Sequence, residues 1–190
     1  MFTHLNVHST YSKMRGTASP SELIARAKEF CQTHLALTEV NGIWGFIHFV
    51  QRAKDECINP IAGSNVIMDN TDEVVLLVEN QQGYENLCRL LTEVHYDANG
   101  NIARLLERYG EGLFVLAYQE RVIERLINVI PKTNLFVELR CGIEERKAQA
   151  LSMKYKLEMV ATGDVYFLNP DDYRSHMILV AIDKNTTGIC

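Results

Sequence analysis

The sequence lacks the cysteine patterns that stabilise a secreted fold or hold a structural zinc ion. It contains five cysteines, an odd number, and they are spread widely along the chain without any CxxC pair. This distribution argues against a disulfide framework and a thiolate zinc site, and it favours a reducing compartment. We therefore expect a cytoplasmic protein.

Long apolar runs and basic segments are also missing. No apolar stretch approaches the length of about 18 residues that a membrane helix needs, and the start does not resemble a signal peptide. Lysine and arginine total 19 against 24 aspartates and glutamates, which gives a formal net charge of -5. Because such a net field repels phosphate, a nucleic-acid contact would need a local patch. We expect a soluble chain with no membrane contact.

The chain is nevertheless rich in apolar residues. It has 190 residues, of which 47% are hydrophobic, and this is enough to bury one sizeable core. No linker rich in proline, glycine or serine interrupts it, and neither does a repeat. The composition therefore predicts a single domain.

Short apolar runs alternate with segments of helical period. The runs are mostly continuous, as in strands that are covered on both faces of a parallel sheet. The helices have recognisable ends, such as the capping box that begins at Ser19. The connection between the third and fourth predicted strands is the only one without a helix, and residues 69–73 read as a tight turn there. The pattern predicts a closed or nearly closed parallel β/α barrel, with a doubly wound open sheet as the alternative. The predicted strands are 2–7, 35–39, 59–68, 74–79, 113–118, 135–139 and 157–165.

Polar residues cluster at the predicted carboxyl ends of these strands, where a β/α barrel carries its chemistry. If the barrel is right, they should converge on one mouth. Periodicity alone does not distinguish a functional site from a hydrated rim. The residues are Asn6, His8, Thr38, Glu39, Asn41, Ser64, Asn65, Glu138, Arg140 and Asp164.

Several segments of the chain resemble a known family. They include FTHLNVHSTYS near the start, ENQQGYENLCRLLTE in the middle and VATGDVYFLNPDD near the end. These segments are similar to PHP (polymerase and histidinol phosphatase) domains. Within that family they most resemble the N-terminal domain of the alpha subunits of bacterial C-family replicative polymerases, the DNA polymerase III type. The resemblance extends over residues 1–183.

The resemblance implies a distorted seven-stranded TIM-like barrel of the PHP type. Metal-bearing members are expected to hold zinc, manganese or magnesium at the barrel mouth and to hydrolyse phosphoesters, in some polymerases as a 3′–5′ exonuclease. In other members the ligands have decayed and the domain is structural. Residues 184–190 would then begin the connection to downstream polymerase domains, and only that parent polymerase would need Mg²⁺. The implied partners are those domains, a proofreading exonuclease subunit and, through the assembled polymerase, DNA.

The family's ligand motifs are altered in this chain. The HxH motif keeps its second histidine, His8, and the final DVH motif keeps its aspartate, Asp164. The other motif positions have changed, and the middle ligand motifs have no matching segment in this sequence, although Cys141 lies near one of them. The changed positions are Asn6 and Tyr166 for histidines, Arg15 for an aspartate, Glu39 and Val40 in place of Asp-His, and Asn65 for a glutamate.

These replacements predict that no metal cluster forms. Valine has no lone pair, arginine brings a fixed positive charge, and an asparagine carbonyl binds hard cations weakly. We expect no cofactor, and instead a hydrogen-bonded network in which Arg15 pairs with Asp164 or Glu39. Two alternatives keep a metal, namely one weak divalent ion between His8, Glu39 and Asp164, or an active phosphoesterase. A third is a free-standing PHP protein with an unknown small ligand.

Overall fold

One curled β-sheet of six strands carries the fold, and helices cover its outer face. The computed structural model describes residues 2–69, 71–97, 100–140 and 145–186. The strands are β1 (His34–Val40), β2 (Asn59–Met68), β3 (Asp72–Val78), β4 (Leu113–Ala117), β5 (Leu135–Leu139) and β6 (Met159–Ala161). The helices are α1 (Pro20–Glu29), α2 (Phe46–Asp55), α3 (Gln81–Tyr96), α4 (Ile102–Tyr109), α5 (Glu120–Leu126), α6 (Glu145–Tyr155) and α7 (Tyr173–Asp183), with a 3-10 turn at Pro170–Asp172 before α7.

The strands lie in the sheet in the same order as in the chain, from β1 to β6. A doubly wound sheet reverses its strand order at a switch point, so the alternative prediction is wrong. The pairs β1–β2, β4–β5 and β5–β6 are parallel. In each of these pairs a helix connects the strands, as parallel neighbours require.

The prediction of an all-parallel sheet is wrong at β3, which runs antiparallel to both β2 and β4. The predicted turn at 69–73 explains the reversal, because a short turn can join only antiparallel strands. As a consequence, β3 begins at the pole where the parallel strands end. Asp72 and Glu73 therefore lie at the same pole as the carboxyl ends of β1 and β2.

The predicted strand at 2–7 is not a strand of this sheet, so a seven-stranded closed barrel is not reached. Val7 forms an isolated parallel bridge with Val165. The segment around it bonds on both sides, since the Val7 carbonyl accepts from the Thr38 amide at 2.9 Å and the His8 amide donates to the Val165 carbonyl at 2.9 Å. The predicted strand at 157–165 shortens to β6, and beyond it Asp164 has a left-handed φ of 46° that interrupts the extended backbone.

The inner face of the curled sheet is apolar at one pole and polar at the other. Ala36, Val75, Leu77 and Leu116 form a buried cluster on this face. Because residues two apart on a strand point to the same side, the next inner positions toward the other pole are Thr38, Glu73, Tyr118 and Glu138. The outer face is covered by two larger apolar clusters beneath the helices.

Helix α1 begins as predicted. The Ser19 hydroxyl accepts from the Glu22 amide at 3.3 Å, and the Glu22 carboxylate accepts from the Ser19 amide at 2.8 Å. This confirms the capping box. Across the described helices, none combines the length and apolarity that a membrane span requires.

Candidate functional site

The Asn6 amide lies at the centre of the polar pole and is fully buried. Its Nδ2 donates to Glu138 Oε1 at 3.1 Å and to Asp164 Oδ1 at 3.3 Å, while its Oδ1 accepts from the Thr38 hydroxyl at 3.1 Å. An amide has two donor hydrogens and a carbonyl acceptor, so it can join two carboxylates and a hydroxyl at once. Asn6 therefore links the ends of β1, β5 and β6 by hydrogen bonds.

Glu138 is a buried carboxyl group inside this network. Thr162 donates to its Oε1 at 2.6 Å, in addition to the bond from Asn6. Burial raises the pKa of Glu138, and the two hydrogen bonds and the nearby Arg140 only partly offset it. The site therefore favours the protonated carboxyl more than water does.

Arg140 is the main positive charge at this pole, and it is 13% exposed. Its Nη1 and Nη2 contact the two oxygens of Glu73 at 2.8 and 3.2 Å, and Nη1 also lies 3.5 Å from Asp164 Oδ2. Its guanidinium carbon sits 3.8 Å from the centre of the Tyr118 ring. Two parallel bonds to one carboxylate together with an aromatic face make a rigid environment for the guanidinium.

Glu73 is further held by neutral donors. The Asn65 amide donates to its Oε1 at 2.9 Å and the Tyr118 hydroxyl to its Oε2 at 3.0 Å. Burial opposes ionisation of Glu73, but the bonds from Arg140, Asn65 and Tyr118 outweigh it and hold its pKa below the usual range. Burial opposes the charged form of Arg140, but Glu73, Asp164 and Tyr118 outweigh it and raise the pKa of Arg140 above its usual range. Both groups are therefore charged at neutral pH.

The structure brings together His8 and Asp164, the two residues that keep a ligand type. His8 Nε2 lies 3.6 Å from Asp164 Oδ1, and the fully buried His8 ring stacks on Tyr166 with centroids 4.4 Å apart. Burial opposes ionisation of Asp164, but the neighbouring His8 and Arg140 hold its pKa below the usual range. Asn65 reaches this pair only through Glu73 and Arg140.

Glu39 is linked to this cluster through Ser12, whose hydroxyl oxygen lies 3.3 Å from His8 Nδ1. Its carboxylate accepts hydrogen bonds from the Ser9 and Ser12 hydroxyls and from the Ser9 amide. Ser12 also binds the amide of Val40 at 3.1 Å, so the residue that replaces an imidazole is held only by its backbone. The Glu39 carboxylate therefore stabilises the loop after Val7 rather than a shared ion site.

The predicted pairing of Arg15 is wrong. In the described part of the chain, Asp164 pairs with Arg140 and His8, and no ion pair joins Arg15 to Asp164 or Glu39. Arg140 lies immediately after β5, two positions beyond the inner-face residue Glu138, and its guanidinium reaches the carboxylates there. The Arg15 backbone carbonyl instead accepts from His176 at 2.7 Å.

The donor set does not fit a metal cluster. Across residues 2–69, 71–97, 100–140 and 145–186, no three histidine, cysteine or acidic side chains come together as a group that could hold an ion. Both Glu73 oxygens already accept hydrogen bonds from Arg140, and the same guanidinium, which carries a fixed positive charge, lies 3.5 Å from Asp164 Oδ2. Cys141, near a predicted middle ligand, lies outside the described residues.

Glu73 and Tyr118 are the important residues that sequence reasoning missed as members of the site. Glu73 was assigned to a turn before a parallel strand, which would place it at the opposite pole. The signal was present, since a five-residue turn implies an antiparallel strand whose first residues lie at the polar end. Tyr118 is the last residue of a predicted strand. Because side chains alternate between the two faces of a strand, Tyr118 lies on the same inner face as Leu116.

The comparisons with known proteins agree with this architecture. The family model described as the PHP domain matches residues 4–122. The DNA polymerase III subunit alpha of Buchnera aphidicola is 29% identical over 217 residues, a match that covers 96% of this chain and 19% of that protein. The chain spans about a fifth of the length of the curated relatives that it matches.

Two solved structures share the fold. A protein of Bifidobacterium adolescentis described as a metal-dependent phosphoesterase superposes with a TM-score of 0.58 at 9% identity, over 93% of this chain and 96% of that one. An amidohydrolase of Chromobacterium violaceum, with bound sulfate and no metal, gives a TM-score of 0.63 at 14% identity and the same coverage. At such identities the likeness is one of fold. The family match and the shared half-barrel together show that this chain belongs to the PHP domain family.

Proposed function

We propose that this chain is the PHP domain of a C-family replicative DNA polymerase and that its polar pole is a structural network rather than a metallohydrolase site. The domain would occupy residues 1–183, and the segment around Val7 would act as an incomplete seventh strand that closes the half-barrel. Polymerisation would belong to the longer parent chain, because two-metal nucleotidyl transfer needs a pair of carboxylates for Mg²⁺ elsewhere. The similarity to DNA polymerase III alpha subunits supports this assignment.

The observation that carries the proposal is the placement of Arg140. Its guanidinium contacts both Glu73 and Asp164, two carboxylates whose pKa values lie below the usual range. A metal ion needs the same oxygen lone pairs, and a neighbouring fixed positive charge would repel it. Because Arg140 already bridges the two carboxylates, no metal is needed to hold the strand ends together.

An active phosphoesterase is the second candidate, and one observation favours it. His8 Nε2 and Asn65 Oδ1 are buried polar atoms without a hydrogen-bond partner. Unpartnered buried acceptors are the kind of atoms that could bind an ion. Two such atoms on different sides of Arg140 do not supply the several anionic or imidazole donors that each ion of a cluster requires.

Helix α7 is the surface that we assign to docking on the rest of the polymerase chain. Its sequence is apolar from Met177 to Ile182, and none of its residues is buried. Ile178 and Ile182 lie one turn apart and are 40% and 58% exposed. A helix that is apolar around its circumference is usually buried. Because the matched relatives are about five times longer, the natural cover is the polypeptide that follows this domain in them.

The assignment is tested first by sequencing the gene downstream of this segment. A coding sequence that continues into a domain with paired catalytic aspartates would support it, and a stop codon near Cys190 would favour a free-standing protein.

The docking face is tested with the double variant Ile178→Glu and Ile182→Glu. It should fold as well as the parent domain but lose association with the remaining polymerase polypeptide. Equal association of variant and parent would remove α7 from the interface.

The absence of hydrolysis is tested on the purified domain with a chromogenic phosphodiester and with single-stranded DNA, in Mn²⁺ or Zn²⁺. We expect no turnover above that of a preparation lacking the protein. A variant with five substitutions would restore the family's ligand types and should recover some metal binding. The substitutions are Asn6→His, Arg15→Asp, Val40→His, Asn65→Glu and Tyr166→His. Hydrolysis by the unaltered domain, abolished by Asp164→Ala, would establish the phosphoesterase instead.

A further inference from the structure

A pocket on the outer side of the sheet lies between α1, the start of β1 and residues 165–168. We propose that this α1 pocket binds a small neutral aromatic molecule of one or two rings that carries a hydrogen-bond donor. The side chains that line the pocket differ from those of the network at the polar pole. The proposal is therefore independent of the function proposed above.

The floor and the size of the α1 pocket suit an apolar ring. The floor belongs to the buried apolar cluster beneath α1 and α2, and it is formed by Val7, Leu23, Ala27 and Leu35. The pocket encloses about 200 Å³. Because apolar cavities of about 150 Å³ are large enough to bind benzene, this pocket can hold a molecule of one or two rings.

Aromatic side chains form part of the pocket wall. Phe30, at the end of α1, is 64% exposed, and Phe167 lies in the segment after β6. The His4 ring also lines the pocket, and Phe2 packs edge-on against it with ring centroids 4.8 Å apart. Aromatic rings attract other rings in offset-stacked and edge-to-face arrangements. The wall therefore favours a planar ring over an aliphatic chain.

Two polar atoms of the pocket lining lack a partner. Among the described residues, Gln32 Oε1 and His4 Nδ1 are shielded from water and make no hydrogen bond. An amide oxygen can only accept, so Gln32 requires a donor from the molecule that fills the pocket. Because buried polar atoms are nearly always paired, these two atoms indicate where the polar group of a ligand would bind.

The charges of the lining favour a neutral ligand. Burial lowers the pKa of His4, so its ring is neutral at pH 7. The Arg26 Nε atom lies 3.3 Å from Glu29 Oε2, and its Nη2 donates to Asn169 Oδ1 at 2.5 Å. Because Arg26 is already paired, an ionised ligand would lose its hydration in the pocket without gaining an opposite charge.

The test uses indole, whose N–H is a single donor on a two-ring body, and N-methylindole, which lacks that hydrogen. Each is titrated into the isotope-labelled domain and followed by NMR. Indole should cause saturable shifts of the backbone amides of Gln32 and Leu35, with a dissociation constant below about 1 mM. N-methylindole should shift the same amides but bind about 3–10-fold more weakly, the factor expected for one hydrogen bond.

Three variants show whether the pocket and its acceptor are responsible. Gln32→Met keeps the side-chain length but removes the acceptor, so it should weaken indole by the same factor and leave N-methylindole unchanged. Gln51→Met, at an exposed glutamine of α2, is the matched control and should change neither affinity. Ala27→Leu fills the pocket from its floor and should abolish binding of both compounds.

The half-buried Gln32 position keeps the test decisive if Ala27→Leu does not fold. Three results would overturn the inference. They are shifts that do not saturate, saturable shifts that arise at residues of the polar pole, and an unchanged preference for indole in Gln32→Met.

Discussion

Replacing Glu73 with alanine is the perturbation that most directly probes the network at the polar pole. It removes the carboxylate that makes two contacts with Arg140 and accepts from Asn65 and Tyr118. Among the described residues, Arg140 would keep its 3.5 Å contact with Asp164 and its position over the Tyr118 ring. The variant therefore leaves a shielded guanidinium, an amide and a hydroxyl without their main acceptor.

The expected loss follows from the burial of the pair. Removing one partner of a buried ion pair costs about 3–5 kcal/mol, and the remaining contact with Asp164 places the expected value near 3 kcal/mol. For a domain of this size such a loss lowers the melting temperature by roughly 6–12 °C. Glu73→Gln keeps an oxygen acceptor and the side-chain shape, so its cost should be smaller, about 2 kcal/mol.

The assay is urea unfolding at neutral pH, with circular dichroism as the signal and an unchanged m-value as the sign of two-state behaviour. Glu79→Ala is the matched control, because Glu79 is an exposed glutamate just after the same strand. Its effect should stay within about 0.5 kcal/mol. A Glu73→Ala domain as stable as this control would refute the view that the Arg140 network stabilises the strand ends.

Three further variants test other parts of the structure. Glu138→Gln should raise the melting temperature at pH 7, and the gain should shrink toward pH 4. The reason is that burial raises the pKa of Glu138, so its stabilising protonated form is lost as pH rises; a gain independent of pH would contradict this. Ser19→Ala should cost about 1 kcal/mol in urea unfolding through loss of the capping box, whereas Ser21→Ala, exposed in the same helix, should cost clearly less. Gly83→Ala should sharply reduce the amount of folded protein, because a Cβ there would lie 1.8 Å from the Gly112 carbonyl oxygen. A normal amount of folded protein would show that the backbone can move to relieve this contact.

The sequence predicted the elements of the fold more reliably than their pairing. The segments that became β2, β4 and β5 were located within a residue or so, because continuous apolar runs report burial directly. Direction and closure depend on distant partners. The reversal of β3 follows from a turn, and the segment at 2–7 forms an isolated bridge between Val7 and Val165 instead of a seventh strand. Neither feature changes the apolar pattern.

The candidate site could be predicted by position but not by partner. Counting strand ends placed Asn6, His8 and Asp164 at one pole, and the structure puts them in contact. The pattern could not tell which arginine meets the carboxylates. Arg15 lies in a loop whose path depends on the hydrogen bonds of Glu39. Arg140 comes directly after β5, two residues beyond Glu138, so it points to the same inner face. Only the register of the assembled sheet distinguishes the two.

The central claim is that a guanidinium, rather than a metal ion, bridges the carboxylates at the polar pole. Elemental analysis of the domain, purified without chelator from cells grown with added manganese and zinc, tests it most directly. The account predicts a transition-metal content far below one ion per chain. A content of about one ion or more per chain, retained through gel filtration and lost in Asp164→Ala, would contradict it, because metal sites hold their ions through specific deprotonated ligands.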